Sequence, residues 1–246
     1  MVVLGITGAI ATGKTTVLSW FSQRGIPSLS ADAIVHRLYQ TDTEIIQHIR
    51  QAFPGTHVNG ICDRFRLAQM ISRSSDLTAL LKNLETLERI VHPAVHREMK
   101  SFVNTMRDAD HPMVVLEIPL LFEAKESYDF IDITLATYAP HPVQNERIRA
   151  RMAQNTTDTA LLSHMIARQL SSKEKIRRAD IAVSTHLPQD LLDKCLEEIF
   201  EAASHKFLKE KTANSDSHPN NPLLSWLKPD SQEGDACIFL NHFIKS

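Results

Sequence analysis

An α/β fold built on a five-stranded parallel sheet is what this sequence predicts, and three observations predict it. Short strand-like runs begin at Val2, Ser28, Met113, Phe130 and Ile181, and segments of helical spacing separate them. The pattern Gly8-x-x-x-x-Gly13-Lys14-Thr15 stands between the first run and a helix-like segment, the strand–loop–helix context that a phosphate-binding loop requires. The composition, 43% apolar and 23% charged over 246 residues, is that of a globular chain large enough to bury a sizeable core.

The first element, Val2-Val3-Leu4-Gly5-Ile6, reads as a buried strand. The loop after it, Gly8 to Thr16, would present backbone N–H groups to phosphate oxygens, reinforced by the N-terminus of the next helix. Gly8, Ala11, Thr12, Gly13, Lys14, Thr15 and Thr16 are the candidate nucleotide-binding residues. Lys14 is placed to reach the β- and γ-phosphates of ATP, and the Thr15 hydroxyl to ligate Mg2+. Gly25-Ile26-Pro27 then stops the helix and turns the chain into Ser28-Leu29-Ser30. Asp32 follows at the carboxyl end of that strand, on the ligand-binding edge of an open parallel sheet. An acid in the first turn of a helix is also a common capping device, and both readings of Asp32 stay open here.

Residues 35 to about 108 are mostly helical in pattern, with turns at Pro54-Gly55 and Asn59-Gly60 and a break or fresh helix start expected at Pro93. This is more chain than a crossover needs, so it is a candidate substrate domain. His92 and His96 stand four residues apart, a metal-compatible spacing, yet no acid or Cys follows at zinc-site spacing, which favours a packing role. Met113 to Ile118 reads as a central strand interrupted by Glu117, an acid suited to hold Mg2+ through water or to face a polar edge. Phe130 to Ala136 reads as the fourth strand.

Residues 141–180 carry eight Lys or Arg against four acids. Arg147 and Arg151 share a helix face there. A basic helical hairpin at this point is where a phosphoryl-transfer lid would sit, although a solvated helix face has the same composition. Ile181 to Ser184 is the fifth strand, and an amphipathic helix from Leu187 to about Lys206 closes the domain. The expected organisation is an α/β core over 1–206, with a helical insertion at about 36–110 and a candidate lid at about 140–176. A flexible linker at 207–222 and a tail at 223–246 of open role would follow.

A net charge of −2 gives no basic field for nucleic acid, and no apolar run approaches the length of a membrane span. Cys62, Cys195 and Cys237 form no disulfide framework, so a cytoplasmic location is expected.

Along residues 3 to about 185 these features resemble the dephospho-coenzyme A kinase family. The resemblance rests on several motifs in order. They are Leu4-Gly5-Ile6-Thr7-Gly8 with Gly13-Lys14-Thr15-Thr16-Val17; Ala31-Asp32; Gly60 with Arg64 and Leu67; Leu84-Glu85 or Leu87-Glu88 ahead of His92-Pro93; Pro119-Leu120-Leu121-Phe122-Glu123; Gln144, Arg147 and Arg151; Gln169; and Lys175 with Ala179-Asp180. The His-Pro pair and the Pro-Leu-Leu-Phe-Glu run are not general to P-loop kinases and make the match specific; the nearest rival is another small-molecule P-loop kinase of the shikimate or nucleoside-monophosphate type. A nucleotide-switched binding protein is disfavoured because the chain lacks an Asn-Lys-x-Asp base-reading motif. The chain departs from the family at Ser30, where the family has an acid, at Ala9 and Ala11, where glycines are common, and at Thr185, where the family has Asn.

The resemblance implies a P-loop NTPase fold, a three-layer αβα core with a helical CoA-binding insertion and a helical lid. It implies transfer of the ATP γ-phosphoryl group to the ribose 3′-hydroxyl of dephospho-CoA with Mg2+. Asp32 is then the candidate base, Lys14 the phosphate ligand, and Arg147 and Arg151 the groups that close over the transferring phosphoryl. Arg64 and His92 would line the CoA side.

Overall fold

The structure is a computed structural model and describes residues 1–74, 76–124, 127–154, 169–212 and 238–240. One sheet organises it. Its strands are β1 (Val2–Gly8), β2 (Ser28–Ser30), β5 (Met113–Glu117), β6 (Ile133–Tyr138), β7 (Ile181–Ser184) and β8 (Ile238–Leu240), in the spatial order β2-β5-β1-β6-β7-β8. The first five are parallel, and β8 pairs antiparallel with β7. The central strands β1 and β5 are buried along their whole length and mostly apolar because both faces are covered. Along β1, Val3 points into one core while Val2, Leu4 and Ile6 point into the other. On β5, Val114 and Leu116 oppose Met113 and Val115 in the same way, the period-two alternation of a pleated strand.

One face is covered by α1 (Lys14–Gln23) and α8 (Gln189–Thr212), through Val17, Trp20, Phe21, Leu192, Leu196 and Ile199. The other is covered by α2 (Ala31–Thr41), α3 (Thr43–Ala52), α4 (Arg64–Ser72) and α5 (Leu77–Asp108), all lying between β2 and β5. Helices α6 (His141–Gln154) and α7 (Ser172–Arg178) lie between β6 and β7. The result is the three-layer α/β architecture expected from the alternation of strands and helices.

Three details differ from expectation, each for a physical reason, and the turn expected at Asn59-Gly60 is found. Pro93 breaks nothing: α5 runs uninterrupted from Leu77 to Asp108 with Pro93 inside it. A proline there forfeits one backbone hydrogen bond, a cost of roughly 3 kcal/mol. Burial of Val91, Ala94, Val95, Met99 and Val103 on the same helix outweighs it. Asn59-Gly60 makes a true hairpin turn between β3 (His57–Val58) and β4 (Ile61–Cys62), with φ of 51° and 85°. β6 starts three residues after Phe130 because the Asp132 carboxylate accepts the Val3 N–H at 2.8 Å, taking a ladder position from the backbone. Finally, α8 runs on to Thr212, into the expected linker, whose remainder at 213–222 lies outside the described residues. Of the expected tail, Ile238–Leu240 is described and forms β8.

Candidate active site at the carboxyl edge of the sheet

The P-loop is held in shape from three sides. Gly13 precedes α1 with φ 82°, and a Cβ placed there would lie 2.6 Å from Thr185 Oγ1. Gly8 has φ 155°, and its Cβ would lie 2.4 Å from Thr137 Oγ1. Both positions therefore need glycine for space as well as for backbone conformation. Ala11 adopts φ 59°, a conformation that costs an L-residue about 1–2 kcal/mol. Neighbouring bonds hold it there. Thr12 Oγ1 donates to the Ala9 carbonyl at 2.7 Å and lies 2.9 Å from Thr137 Oγ1. From α6, buried Gln144 donates to the Ile10 carbonyl at 2.8 Å, and Arg147 reaches the Ala11 carbonyl at 3.4 Å.

Thr185 completes this brace from the end of β7. Its hydroxyl donates to the Thr12 carbonyl at 2.9 Å. Arg147 donates to that hydroxyl at 2.9 Å and to the Thr185 carbonyl at 2.8 Å. In this conformation Arg147 thus clamps the P-loop to β7. Arg151, one turn further along α6, is exposed, and its charge acts on Lys14.

Lys14 lies at the centre. Its Nζ donates to the carbonyls of Gly8 and Ala9 at 3.0 Å each. Burial above all pulls its ammonium down to about 8; Glu117 and Asp32 act against that shift, Lys175 and Arg151 with it. Glu117 is 4% exposed at the end of β5. Burial pushes its carboxyl above the usual range and Asp32 adds to this, while Lys14 and hydrogen bonds from Ser30 and Thr15 favour the carboxylate. Thr15 Oγ1 is 3.5 Å from Glu117 Oε1. Thr15 and Thr16 are both exposed at the mouth of the loop. Asp32 is exposed in the first turn of α2, where the sequence places it, and its charge is felt by both Lys14 and Glu117.

Behind these residues a buried cation pins the exit of β5. Lys175 on α7 is 1% exposed, and its Nζ donates to the Pro119 carbonyl at 2.7 Å and pairs with Glu123 at 2.8 Å. Glu123 also accepts the Leu170 N–H at 2.8 Å, which ties the chain leading into α7 to the same point.

Lys14, Thr15, Asp32, Arg147 and Arg151 therefore surround one edge. Arg64 does not stand with them. It opens α4 and lines a separate cleft of about 380 Å³ with His36, Tyr39, Ile61, Asp63 and Phe65. His92 lies on α5 outside the lining of that cleft. His96 takes a packing role: its Nε2 donates to the Ser127 carbonyl (2.8 Å), and its ring meets those of Tyr128 and Phe130 edge-on and tilted. No group of three or more metal-ligating side chains occurs among the described residues. Of the two roles the sequence allows Glu117, holding Mg2+ through water or facing a polar edge, its burial beside Thr15 favours the first. The bracing roles of Thr185 and Gln144 carry no local signal, because both depend on chain brought in from far away.

A protein-family model described as dephospho-CoA kinase matches residues 2–187. A dephospho-CoA kinase of Rhodopseudomonas palustris (strain HaA2) is 37% identical over 204 residues, covering 83% of this chain and 96% of that protein. The solved structure of a Thermus thermophilus protein superposes with a TM-score of 0.62 at 31% identity, covering 83% of this chain and 97% of that one. The dephospho-CoA kinase from Campylobacter jejuni shares the fold at 19% identity, with a TM-score of 0.59 over 83% of this chain and 98% of that one.

Proposed function

The chain belongs to the dephospho-CoA kinase family, and from that premise we propose how its own residues divide the work of the family's reaction. That reaction is the last step of coenzyme A biosynthesis, transfer of the γ-phosphoryl group of ATP to dephospho-CoA. At the ribose 3′-hydroxyl the new O–P bond forms as the bridging β–γ O–P bond breaks, and the hydroxyl proton must leave. The transition state is loose, so positioning and charge stabilisation supply most of the catalysis.

The P-loop N–H groups and Lys14 hold the β- and γ-phosphates. Asp32 accepts the 3′-hydroxyl proton. Arg151 provides charge toward the transferring group, and Arg147, with its grip on Thr185 and Ala11, keeps α6 seated on the loop as that happens. The donors beside the loop also fit Mg2+. An exposed hydroxyl, Thr15, stands next to a buried carboxylate, Glu117, and both are hard oxygen groups. Mg2+ takes few protein ligands beside nucleotide phosphates and water, in keeping with this sparse set. When bound, it would neutralise charge developing on the phosphate oxygens. The cleft beside Arg64 would take the CoA side of the acceptor, with Phe65 and Ile61 offering exposed apolar surface at its rim. A cytoplasmic setting agrees with Cys62 being a buried thiol outside any disulfide, and no described helix is long and apolar enough to cross a membrane.

The observation that carries this assignment is the convergence of Lys14, Thr15, Asp32 and Glu117 on one sheet edge, coupled closely enough for each charge to act on the next. The deciding experiment is ADP release from Mg·ATP with and without dephospho-CoA, with the product identified by mass. Acceptor-dependent release with CoA formed is expected. ATP binding without stimulation by dephospho-CoA would overturn the assignment.

A further inference from the structure

The backbone ladder between β1 and β5 ends where the phosphate site begins. Its last register pair is Ile6 with Glu117, and the Ile118 N–H then donates to the Ile6 carbonyl at 2.8 Å. Pro119, the next residue, has no N–H to offer. Two side chains take over at its carbonyl: Lys175 Nζ donates at 2.7 Å and Thr7 Oγ1 at 3.3 Å. Both residues are buried, and Thr7 immediately precedes Gly8, whose carbonyl receives Lys14. The Lys175 ammonium directs its remaining N–H groups to Glu123, at 2.8 Å to Oε1 and 3.0 Å to Oε2. Glu123 Oε1 also accepts the Leu170 N–H at the entry to α7. One buried ion pair thus joins the exit of β5, the end of β1 and the start of α7.

Stability alone gives little reason for such a pair. Desolvation of two charges roughly offsets their attraction, and apolar residues of similar volume fill such a site equally well or better. What the pair supplies is position, because hydrogen bonds are directional and apolar contacts are not. Pro119 is two residues beyond Glu117, so a shift of its carbonyl moves Glu117 relative to Thr15. Through Thr7 the same shift moves Gly8 relative to Lys14. Lys175 also stands near enough for its charge to act on Lys14. We propose that Lys175 is a positioning residue for phosphoryl transfer: held by Glu123, it fixes the Pro119 carbonyl and so sets the place of the Glu117 carboxylate against the P-loop. The proposal rests on the reading of Glu117 and Lys14 as groups on the metal–nucleotide side of the kinase site. Lys175 acts through the backbone of two strand ends, not on the reacting atoms.

The test compares Lys175→Met, the double variant Lys175→Met/Glu123→Leu, Lys175→Arg and Glu117→Gln. Each is measured for steady-state CoA formation, for ATP affinity and stoichiometry by calorimetry, and for its thermal midpoint. Lys175→Met leaves Glu123 without its cation, and both the thermal midpoint and kcat are expected to fall. The double variant removes that imbalance. Its thermal midpoint should return to within a few degrees of the starting value while kcat stays down about 10²-fold, the loss typical of a misplacement of about 1 Å. KM for both substrates and ATP affinity should stay within about threefold, since binding groups are untouched. Lys175→Arg keeps a donor for each partner and should hold kcat within about tenfold. A double variant that is stable and turns over within about threefold of the starting protein would show the pair to be structural only and overturn the proposal. Should the double variant fail to fold, Glu123→Gln decides, because it keeps the side chain's shape and weakens its grip on Lys175. An unchanged kcat there, or one that falls only in step with ATP-binding stoichiometry, overturns the proposal equally. Glu117→Gln reports on the underlying reading by itself. Near-normal turnover in that variant sinks the reading of Glu117, whereas a large loss there beside a fully active double variant sinks the role of Lys175 alone.

Discussion

The phosphate end of this molecule and its helical insertion are held together by different physics. At the P-loop, side chains from β6, α6 and β7 each bond to a backbone carbonyl or hydroxyl of the loop, and glycines stand where a Cβ would collide. Between β2 and β5, cohesion comes from an apolar core of Ile34, Leu38, Ile49, Leu84, Val95 and Met99, while Phe65 and Ile61 are left exposed at the rim. The phosphate site is thus preorganised before any nucleotide arrives, so little reorganisation is needed in the transition state. The insertion, proposed above as the acceptor side, offers surface rather than a finished mould. A site built from directional bonds should fail steeply when one atom is added, whereas a site built from exposed area should fail gradually.

Single-atom changes at the loop are the sharpest way to break this contrast. Gly13→Ala forces a contact at 2.6 Å in a left-handed backbone, and kcat/KM is expected to fall by about 10²-fold or more. Gly25→Ala is the control. Its φ of +77° carries similar strain with nothing within 4 Å of the new Cβ, so steady-state kinetics should stay near normal while stability drops by about 1 kcal/mol. Asp32→Asn comes next, with kcat expected to fall about 10²–10⁴-fold and ATP affinity by calorimetry unchanged. Near-normal turnover would remove Asp32 from the role of base.

Arg147→Lys loses the two-pronged grip on Thr185, a loss of about 1.5–3 kcal/mol, and should lower ATP affinity about tenfold or more. Lys14 gives a pH test. Its folded-state pKa is lowered to about 8, so its charge is present at pH 7 and lost as pH rises through about 8. ATP affinity of the nucleotide-free protein should weaken about tenfold between pH 7 and pH 9. An affinity flat over that range would show Lys14 to be less buried than it is here. The smallest effect is expected at the insertion. Arg64→Ala should raise KM for dephospho-CoA a few-fold, leaving KM for ATP and the thermal midpoint unmoved, since Arg64 is exposed at the start of α4.

The same contrast explains what could be foreseen. The P-loop, the five parallel strands and the position of Asp32 were legible because their signals are local: a fixed spacing, an apolar run, an acid at a strand end. Pro93 misled because a local helix-breaking rule competes with burial contributed by residues far away in sequence. Glu117 was underweighted because its meaning depends on Thr15 and Ser30 standing beside it, which only the β1–β5–β2 register brings about. Thr185 and Arg147 meet the P-loop across most of the chain's length, and nothing near either residue announces it.

The order in which the ribosome delivers these parts gives β8 a further consequence. Every residue of the phosphate site is made by Thr185, but the strand that covers the open edge of β7 comes only with Ile238–Leu240. At about 5–20 residues per second, that interval lasts roughly three to ten seconds. For that time β7 carries unpaired backbone donors and acceptors at the margin of a formed nucleotide site, an invitation to strands from other nascent chains. The edge of β7 is therefore covered only after the residues of the phosphate site have been made.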